Sequence, residues 1–429
     1  MTYDQVLEYL YKRLPMFQNV GAVALKKDLT NTIRLLDAID NPHQKLRFIH
    51  VAGTNGKGTS AHTIASILQE SGYKTGLYTS PHLKSFTERI KINGLEIEKD
   101  FVISFVSKNQ AHIESLKPSF FEVTVAMCLA YFNHEKVDIA IMETGLGGRL
   151  DSTNVIIPEV SLITMIGNDH ADLLGNTMEK IAKEKAGIIK KGIPVVIGEY
   201  QSEIFPVFQE RANEMQAELF DTRSIEVSLN SENLLSKNYS VRENRKLLYL
   251  ELVTDVTPDY FMKNIPGILK TLEVLNKKGY QIHREAILKG FRNIKNQTGL
   301  KGRFQILGQN PLVVADISHN EPGLMVLMDQ VGKRSAGDLY IVFGVVKDKD
   351  LPGVLKVLPK DSKFFWTQSS VPRSLPAPEL RLKARELGYE GEVFEEVNLA
   401  IQAATQLANK EDIILICGST FVVAEIENL

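Results

Sequence analysis

From Leu46 onward the chain alternates short apolar runs with amphipathic stretches, the rhythm of strands and crossover helices in a parallel sheet. In the first part this pattern predicts strands at 48–51, 75–78, 138–142, 160–164 and 194–197, each followed by polar or glycine-rich residues. Ligands in open α/β sheets bind beyond the carboxyl ends of strands, so chemistry is expected in those trailing residues. Between Gln201 and Pro258 the chain is more polar and predicts a less regular excursion with short β segments such as 246–250. An apolar helical pattern ends near Phe291, and the polar, glycine-containing stretch 295–302 predicts a linker. A second αβ alternation follows, with strands expected at 312–315, 339–343, 363–366 and 413–416.

Composition narrows the function classes. A chain of 429 residues exceeds one ordinary core and suggests two or three domains. Hydrophobic residues at 44% and charged residues at 24% give the balance of a globular protein. Lys+Arg 50 against Asp+Glu 52 leaves no global basic field, so nucleic acid is not expected as a partner, although a local basic site stays open. Cys128 and Cys417 lie inside apolar runs and read as small buried hydrophobes rather than a disulfide framework. The first residues lack a basic then apolar leader pattern, and no apolar run approaches the ~20 residues that span a bilayer. The expectation is a cytoplasmic protein, a monomer without a membrane partner.

The segment Gly53-Thr54-Asn55-Gly56-Lys57-Gly58-Thr59 lies between a predicted strand and a predicted helix, the context a phosphate loop needs. Glycines let backbone N–H groups curl around phosphate oxygens, the helix start adds positive potential, and Lys57 supplies a mobile charge. The plainer alternative is a glycine-rich turn with one solvated lysine. The general pattern also wants glycine where Val51 stands, and Ser or Thr directly after the lysine, where Gly58 intervenes. Glu143 and the pair Asp169-His170 trail other predicted strands. A carboxylate at such a turn suits Mg²⁺, which takes one or two carboxylates beside phosphates and water, but a turn-capping acid and a structural histidine fit as well.

Taken as a set, these positions say more. The compact Gly-Thr-Asn-Gly-Lys loop resembles that of the Mur ligase superfamily of ATP-dependent amide-forming enzymes. Thr79-Ser80-Pro81-His82-Leu83, Glu88-Arg89-Ile90, Gly145-Leu146-Gly147-Gly148-Arg149-Leu150-Asp151-Ser152-Thr153-Asn154 and Glu184-Lys185-Ala186-Gly187-Ile188 follow in order. Together they resemble the folylpolyglutamate synthase/dihydrofolate synthase family from about Leu46 to the end of the chain, most weakly between Gln201 and Pro258.

The resemblance implies an α/β protein with a P-loop domain over 1–296 that holds ATP and folate on a mostly parallel sheet, and a smaller Rossmann-like ligase domain over 297–429. ATP would be held by residues 53 to 59 together with Asn264, Arg303 and Asp316. Two Mg²⁺ sites are implied, with Ser80, Glu143 and His170 as ligands and a carbamoylated Lys185 supporting the second. Phe120, Phe121 and Glu122 would line the pterin pocket, and Leu150, Asp151 and Ser152 would lie in a loop over the pteridine. Arg89 matches a residue on the glutamate side. Asp316 and His319, in Asp316-Ile317-Ser318-His319-Asn320, would approach the ribose and the incoming glutamate. Lys57, Lys185, His170, Asp316 and His319 carry the implied catalytic roles. From the residues alone, Phe120 and Phe121 beside Glu122 read more simply as core.

Residues 178–189 predict a helix on which Ile181, Lys185 and Ile188 share a face, leaving Lys180, Lys183 and Lys190 to water. A lysine whose stem covers apolar surface while its ammonium reaches solvent is the plainer alternative for Lys185. Departures from the family pattern are Pro258 and Phe261 where glycine and glutamine are common, Ile317 and Ser318 where residues are smaller, and Lys301 where proline is common. Asn264 is retained. Gly344 to Asp350 also resembles a family loop.

The implied reaction is the ligation of L-glutamate to dihydropteroate or a reduced folate. The folate carboxylate takes the γ-phosphoryl group of ATP, and the amine of glutamate displaces phosphate through a tetrahedral intermediate. Domain closure is expected to keep water from the acyl phosphate. A muramyl-peptide ligase is a rival with the same chemistry, disfavoured by the 52 residues ahead of Gly53, too few for its nucleotide-sugar domain. A nucleotide-binding P-loop protein that ligates nothing is the other rival; it leaves Lys185, Asp316 and His319 unexplained.

Overall fold

All five residues of the strand Phe48–Ala52 (β1) are buried, as expected of a strand covered on both faces. The computed structural model describes residues 1–15, 28–168, 171–334, 337–347 and 349–429. Its residues group into unit 1, Met1–Asp255 with Phe261–Gly299, and unit 2, Val256–Tyr260 with Leu300–Leu429.

Unit 1 is built on an eight-stranded sheet of order β4-β3-β2-β5-β1-β6-β7-β8. Its strands after β1 are Thr75–Tyr78 (β2), Ile90–Ile92 (β3), Leu95–Glu96 (β4), Ile139–Glu143 (β5), Val160–Ile163 (β6), Val195–Ile197 (β7) and Leu219–Asp221 (β8). The pairs from β2 through β8 are parallel, while β3 and β4 form an antiparallel edge. One core cluster joins Phe48, Tyr78 and Met142 to the helices Tyr3–Arg13, Lys99–Leu116 and Phe120–His134. Another joins Ile163, Val195 and Ile197 to the helices Met178–Ala186 and Phe205–Glu214. This is the doubly wound arrangement that an alternating pattern dictates.

Register places the functional end. Val51 pairs with Glu143, and Ala52 with Ile163, so β1, β5 and β6 release Gly53, Thr144 and Thr164 at one edge of the sheet. The chain leaves β1 toward β2 on one side and later crosses from β5 to β6 on the other. The edge above β1 is therefore a topological switch point, where open sheets bind ligands.

Two regions differ from the sequence expectation. The stretch after Gln201 is regular: beyond the helix Phe205–Glu214 it forms an antiparallel sheet of Ile225–Glu232 (β9), Lys237–Glu243 (β10) and Lys246–Thr254 (β11). One face of that sheet is largely exposed and its pairing is interrupted by bulges, so its residues read as polar and broken. The expected linker at 295–302 begins as the short helix Ile294–Thr298, closed by Gly299 at φ 65. Lys91 donates to the carbonyl of Thr298 at 2.9 Å, a cation at a helix C-terminus.

Unit 2 carries a six-stranded sheet of order β12-β13-β17-β14-β15-β16, with Gln305–Gln309 (β12) antiparallel to Leu312–Ala315 (β13). The other strands, Leu339–Phe343 (β14), Lys363–Trp366 (β15), Gly391–Val393 (β16) and Ile413–Cys417 (β17), extend β13 in parallel. Trp366 is fully buried and stacks on Phe364 at 4.7 Å between ring centroids.

Candidate active site

The helix Lys57–Glu70 opens at Gly56, φ 89, with no side chain capping its first turn. Backbone N–H groups left this way at a helix start form an anion site. Two glycines are required by space as well as by φ. A Cβ on Gly53 would lie 1.8 Å from Thr164 Oγ1, and one on Gly56 would lie 2.4 Å from Asn264 Oδ1.

The loop is braced from β6. Thr164 Oγ1 donates to the carbonyl of Asn55 at 2.8 Å, and Thr54 N donates to that of Met165 at 2.8 Å. Thr54 Oγ1 donates to Gly167 O and accepts from Gly167 N, both at 3.0 Å. Lys57 Nζ lies 3.1 Å from the carbonyls of both Gly53 and Thr54. No sequence motif marks Thr164; only the register of β6 against β1 brings it under Gly53.

Glu143 is the last residue of β5 and is buried; its Oε2 accepts from Ser80 N at 3.0 Å. Its carboxylate faces the first turn of the loop helix, where a Cβ on Gly58 would meet Oε1 at 3.4 Å. A buried acid beside an uncapped helix start and a serine is a donor set that fits Mg²⁺. Among the described residues no group of three or more His, Cys, Asp or Glu is poised to hold a metal. His170 lies outside the described residues.

Next to Ser80, Glu88 organises the Leu83–Ser85 turn: its carboxylate accepts from the backbone of Leu83, Lys84 and Ser85 at 2.7 to 2.9 Å. Arg89 is buried. Its Nε donates to His82 Nδ1 at 2.7 Å and its guanidinium lies 5.3 Å from the Phe120 ring centre. Phe120 also meets Phe86 edge-on, at 5.9 Å. Glu122 closes a capping box on the helix Phe120–His134: Ser119 N donates to its Oε2 at 2.6 Å, and its own N donates to Ser119 Oγ at 3.3 Å. Phe121 is half-buried, 6.1 Å from Tyr78 and packed against Gly145.

Asp151 is buried, and its carboxylate accepts from Gly145 N, Leu146 N and Thr153 N at 2.8 to 3.0 Å. Burial pushes its pKa up, and these donors act against that shift. Ser152 opens the short turn Ser152–Val155 that follows, and Leu150 is half-buried ahead of it. Asn154 ties the loop to the helix end, its Nδ2 donating to the carbonyls of Arg149 and Gly187 at 3.1 Å.

The helix carrying Lys185 is shorter than expected, Met178–Ala186, and continues as i to i+3 turns through Ile189. Ile188 is buried beside it but lies beyond the helix, so a shared helical face does not account for its place. Lys185 is 3% exposed and donates to Gly53 O at 2.6 Å. Lys190 departs from the expectation of a solvated lysine. It donates to the carbonyl of Asn154 at 2.7 Å, and burial lowers its pKa to about 8.

Asn264 is 8% exposed, and its Nδ2 has no partner among the described residues while its Oδ1 sits against Gly56. The departure at Phe261 is accommodated within the turn Asp259–Lys263, where Phe261 is fully buried, 6.2 Å from Phe291.

In unit 2 Asp316 is fully buried and highly bonded. Its Oδ2 accepts from Phe304 N at 2.7 Å and from Tyr260 Oη at 3.2 Å, and its Oδ1 from Ser318 N at 2.8 Å. The turn holding Arg303 is bent by Gly302 at φ 68 and Phe304 at φ 43. Burial and then Asp316 push the Tyr260 pKa up, and the nearby Arg303 acts against that shift. His319 Nδ1 is 2.9 Å from the carbonyl of Ile317; a carbonyl only accepts, so Nδ1 carries the proton. Tyr260 was not legible as a site residue, since nothing in its sequence neighbourhood points toward Asp316.

This arrangement, a phosphate loop on a parallel sheet followed by a second αβ unit, is matched in known proteins. Residues 51–254 match the model of the Mur ligase middle domain and residues 302–420 that of the Mur ligase glutamate ligase domain. The class is thus that of ATP-dependent Mur-type ligases. The chain is 34% identical over 413 residues to the dihydrofolate synthase/folylpolyglutamate synthase of Bacillus subtilis (strain 168), covering 94% of both chains. Its structure resembles E. coli FolC in complex with DHPP and ADP, with a TM-score of 0.84, 30% identity, and 99% and 96% coverage. It equally resembles a bifunctional folylpolyglutamate synthase/dihydrofolate synthase with Mn, AMPPNP and L-glutamate bound, with a TM-score of 0.84, 28% identity, and 99% and 97% coverage. The chain belongs to the dihydrofolate synthase/folylpolyglutamate synthase family, which decides between the ligases left open by the sequence.

Proposed function

We propose that the protein joins L-glutamate to dihydropteroate and to reduced folates in an ATP-dependent reaction, in the cytoplasm, where ATP is available. The observation that carries this reading is the uncapped helix start at Gly56 with Lys57, Glu143 and the Asn264 amide arranged around it. We assign ATP and folate binding to residues 1–296 and the ligase domain to 297–429.

A carboxylate resists attack by an amine because it is anionic and lacks a leaving group; phosphorylation removes both obstacles. Lys57 leaves its two carbonyl contacts to follow the transferring phosphoryl group, whose charge its ammonium offsets. The N–H groups of the loop hold the remaining phosphates, and Thr164 keeps the loop from relaxing. Glu143 and Ser80 would hold Mg²⁺ with His170, and the ion would offset charge on the phosphates when bound. Arg303, Asp316 and His319 serve the nucleotide and the incoming glutamate, His319 with Nδ1 already protonated by its carbonyl contact. Lys185 is assigned as a carbamate that supports the second ion.

Mass spectrometry of products formed from ATP, Mg²⁺, glutamate and either dihydropteroate or tetrahydrofolate tests the reading. A glutamate adduct of each is expected. Absence of any glutamate-dependent product overturns the function, and turnover of tetrahydrofolate alone overturns its bifunctional part.

A further inference from the structure

A buried chain of hydrogen bonds ties the strand that leads into the phosphate loop to the loop that follows β5. His50 lies in β1, fully buried, three residues before Gly53. Its Nε2 is 2.9 Å from Thr153 Oγ1, and Thr153 Oγ1 is 2.5 Å from Asp151 Oδ1. A carboxylate only accepts, so the threonine hydrogen points to Asp151 and its lone pair faces the imidazole. The ring proton is therefore on Nε2. Burial, reinforced by Lys190, pushes the His50 pKa down to about 3, so the ring donates as a neutral imidazole.

The far end of the chain reaches the region assigned to the pterin. Oδ2 of Asp151 holds the N–H groups of Gly145 at 2.8 Å and Leu146 at 2.9 Å, folding the loop back on itself. Gly145 is thereby pressed so near Phe121 that a Cβ would meet its ring at 2.6 Å. Nothing in the reaction as described above uses His50, and a polar side chain in a central, two-sided buried strand costs stability unless it is bonded.

We propose that His50 is a positioning residue for the pterin subsite: its Nε2–H, relayed through the Thr153 hydroxyl, fixes the Asp151 carboxylate on Gly145 and Leu146 and so sets the loop beside Phe121. The inference rests on the folate-ligase reading. β1 then serves two substrates, ATP through its continuation into Gly53 and the pterin through a side chain.

The test is steady-state kinetics of wild type, His50→Gln, His50→Asn, Thr153→Val and the His50→Asn/Thr153→Val pair, with dihydropteroate, ATP and glutamate varied in turn. Glutamine puts its amide nitrogen near the place of Nε2, whereas asparagine puts it near Nδ1. Loss of one hydrogen bond predicts that KM for dihydropteroate rises about three- to tenfold in His50→Asn and in Thr153→Val. KM for ATP and kcat should stay within about twofold, His50→Gln should keep the wild-type KM, and the pair should be no worse than either single change. If His50→Asn does not fold, as judged by its melting curve, Thr153→Val carries the same expectation alone. Equal losses in the Gln and Asn variants, a parallel rise in KM for ATP, additive effects, or no effect at all would each overturn the inference while the active wild type upholds the folate reading. A wild type that turns over no pterin overturns that reading and this inference with it.

Discussion

The ammonium of Lys185 donates to the carbonyl oxygen of Gly53 at 2.6 Å, the same oxygen that Lys57 reaches at 3.1 Å. Two cations thus converge on the loop assigned to the phosphates. Lys57 is half-buried and belongs to no core cluster, so truncating it removes charge rather than packing. Lys57→Ala should leave the melting temperature within a few degrees of wild type and lower kcat by about a hundredfold or more, the scale of losing a preorganised charge at a transferring phosphoryl group. Retention of a large share of kcat would remove the phosphate-loop assignment.

Lys185 and Lys183 differ where it matters. Lys183 is exposed and paired with Glu179 at 2.7 Å, an interaction worth little in water. Lys185 is buried against the loop. Carbamoylation needs the ammonium first to release one proton; the neutral amine nitrogen then bonds to the carbon of CO₂ and gives a second proton to water, so the charge changes from positive to negative. That anion would attract Mg²⁺, whereas the ammonium repels it. Lys185→Ala should lose most activity and regain part of it with an added small carboxylate, and Lys183→Ala should be nearly silent. Intact-mass or crystallographic analysis showing an unmodified Lys185 in metal-loaded protein prepared with bicarbonate would defeat the carbamate.

Legibility followed burial on both faces. β2, β13, β14 and β15 fall on the residues the sequence pattern predicted, because strands covered on both faces read as short, mostly apolar runs even where a residue such as Thr75 or Lys363 interrupts them. β9 to β11 were blurred because one face is exposed. The helix Tyr3–Arg13 did carry a readable signal, the capping box of Thr2 with Gln5, but it precedes the αβ alternation and passes unnoticed beside it. In the site, Glu143 and Lys57 were legible because strand ends and glycine loops mark them. Thr164 and Tyr260 were not, since each acts on a loop far away in sequence and depends on tertiary register.

Asp255 predicts a pH dependence of stability. It follows β11, and one carboxyl oxygen accepts from Lys295 N at 2.8 Å while Oδ1 is buried without a partner among the described residues. Burial raises its pKa from 3.8 to about 6. The folded value lies above the unfolded one, so the protonated acid favours the fold: its contribution is whole below about 3.8 and is lost as pH rises through about 6. Asp255→Asn stays neutral and keeps the acceptor. Its melting temperature relative to wild type should therefore rise between about pH 4 and about pH 7; parallel profiles would show that Asp255 ionises without cost.

Arg89 separates binding from stability. Its guanidinium is buried, bonded to His82, lying over Phe120 and near Tyr78 and Tyr11, and burial lowers its pKa. His82 gives no compensating charge: burial and the arginine itself hold its pKa well below the usual range, and the arginine Nε–H requires a lone pair on Nδ1. Glu143 is the carboxylate that acts on Arg89, but from beyond ion-pair contact. A buried cation held by neutral groups and one distant acid is costly for the fold and well prepared for an incoming anion. Arg89→Met keeps the stem packing and removes the charge. Its melting temperature should equal or exceed that of wild type, while KM for L-glutamate rises about ten- to a hundredfold, the range of a lost charge-assisted hydrogen bond. Arg89→Lys should fall between the two, because a point charge keeps part of the attraction but not the contact with His82 and the stacking on Phe120. A drop of several degrees in melting temperature with KM unchanged would make Arg89 a structural arginine and leave the glutamate carboxylates to be held by other residues.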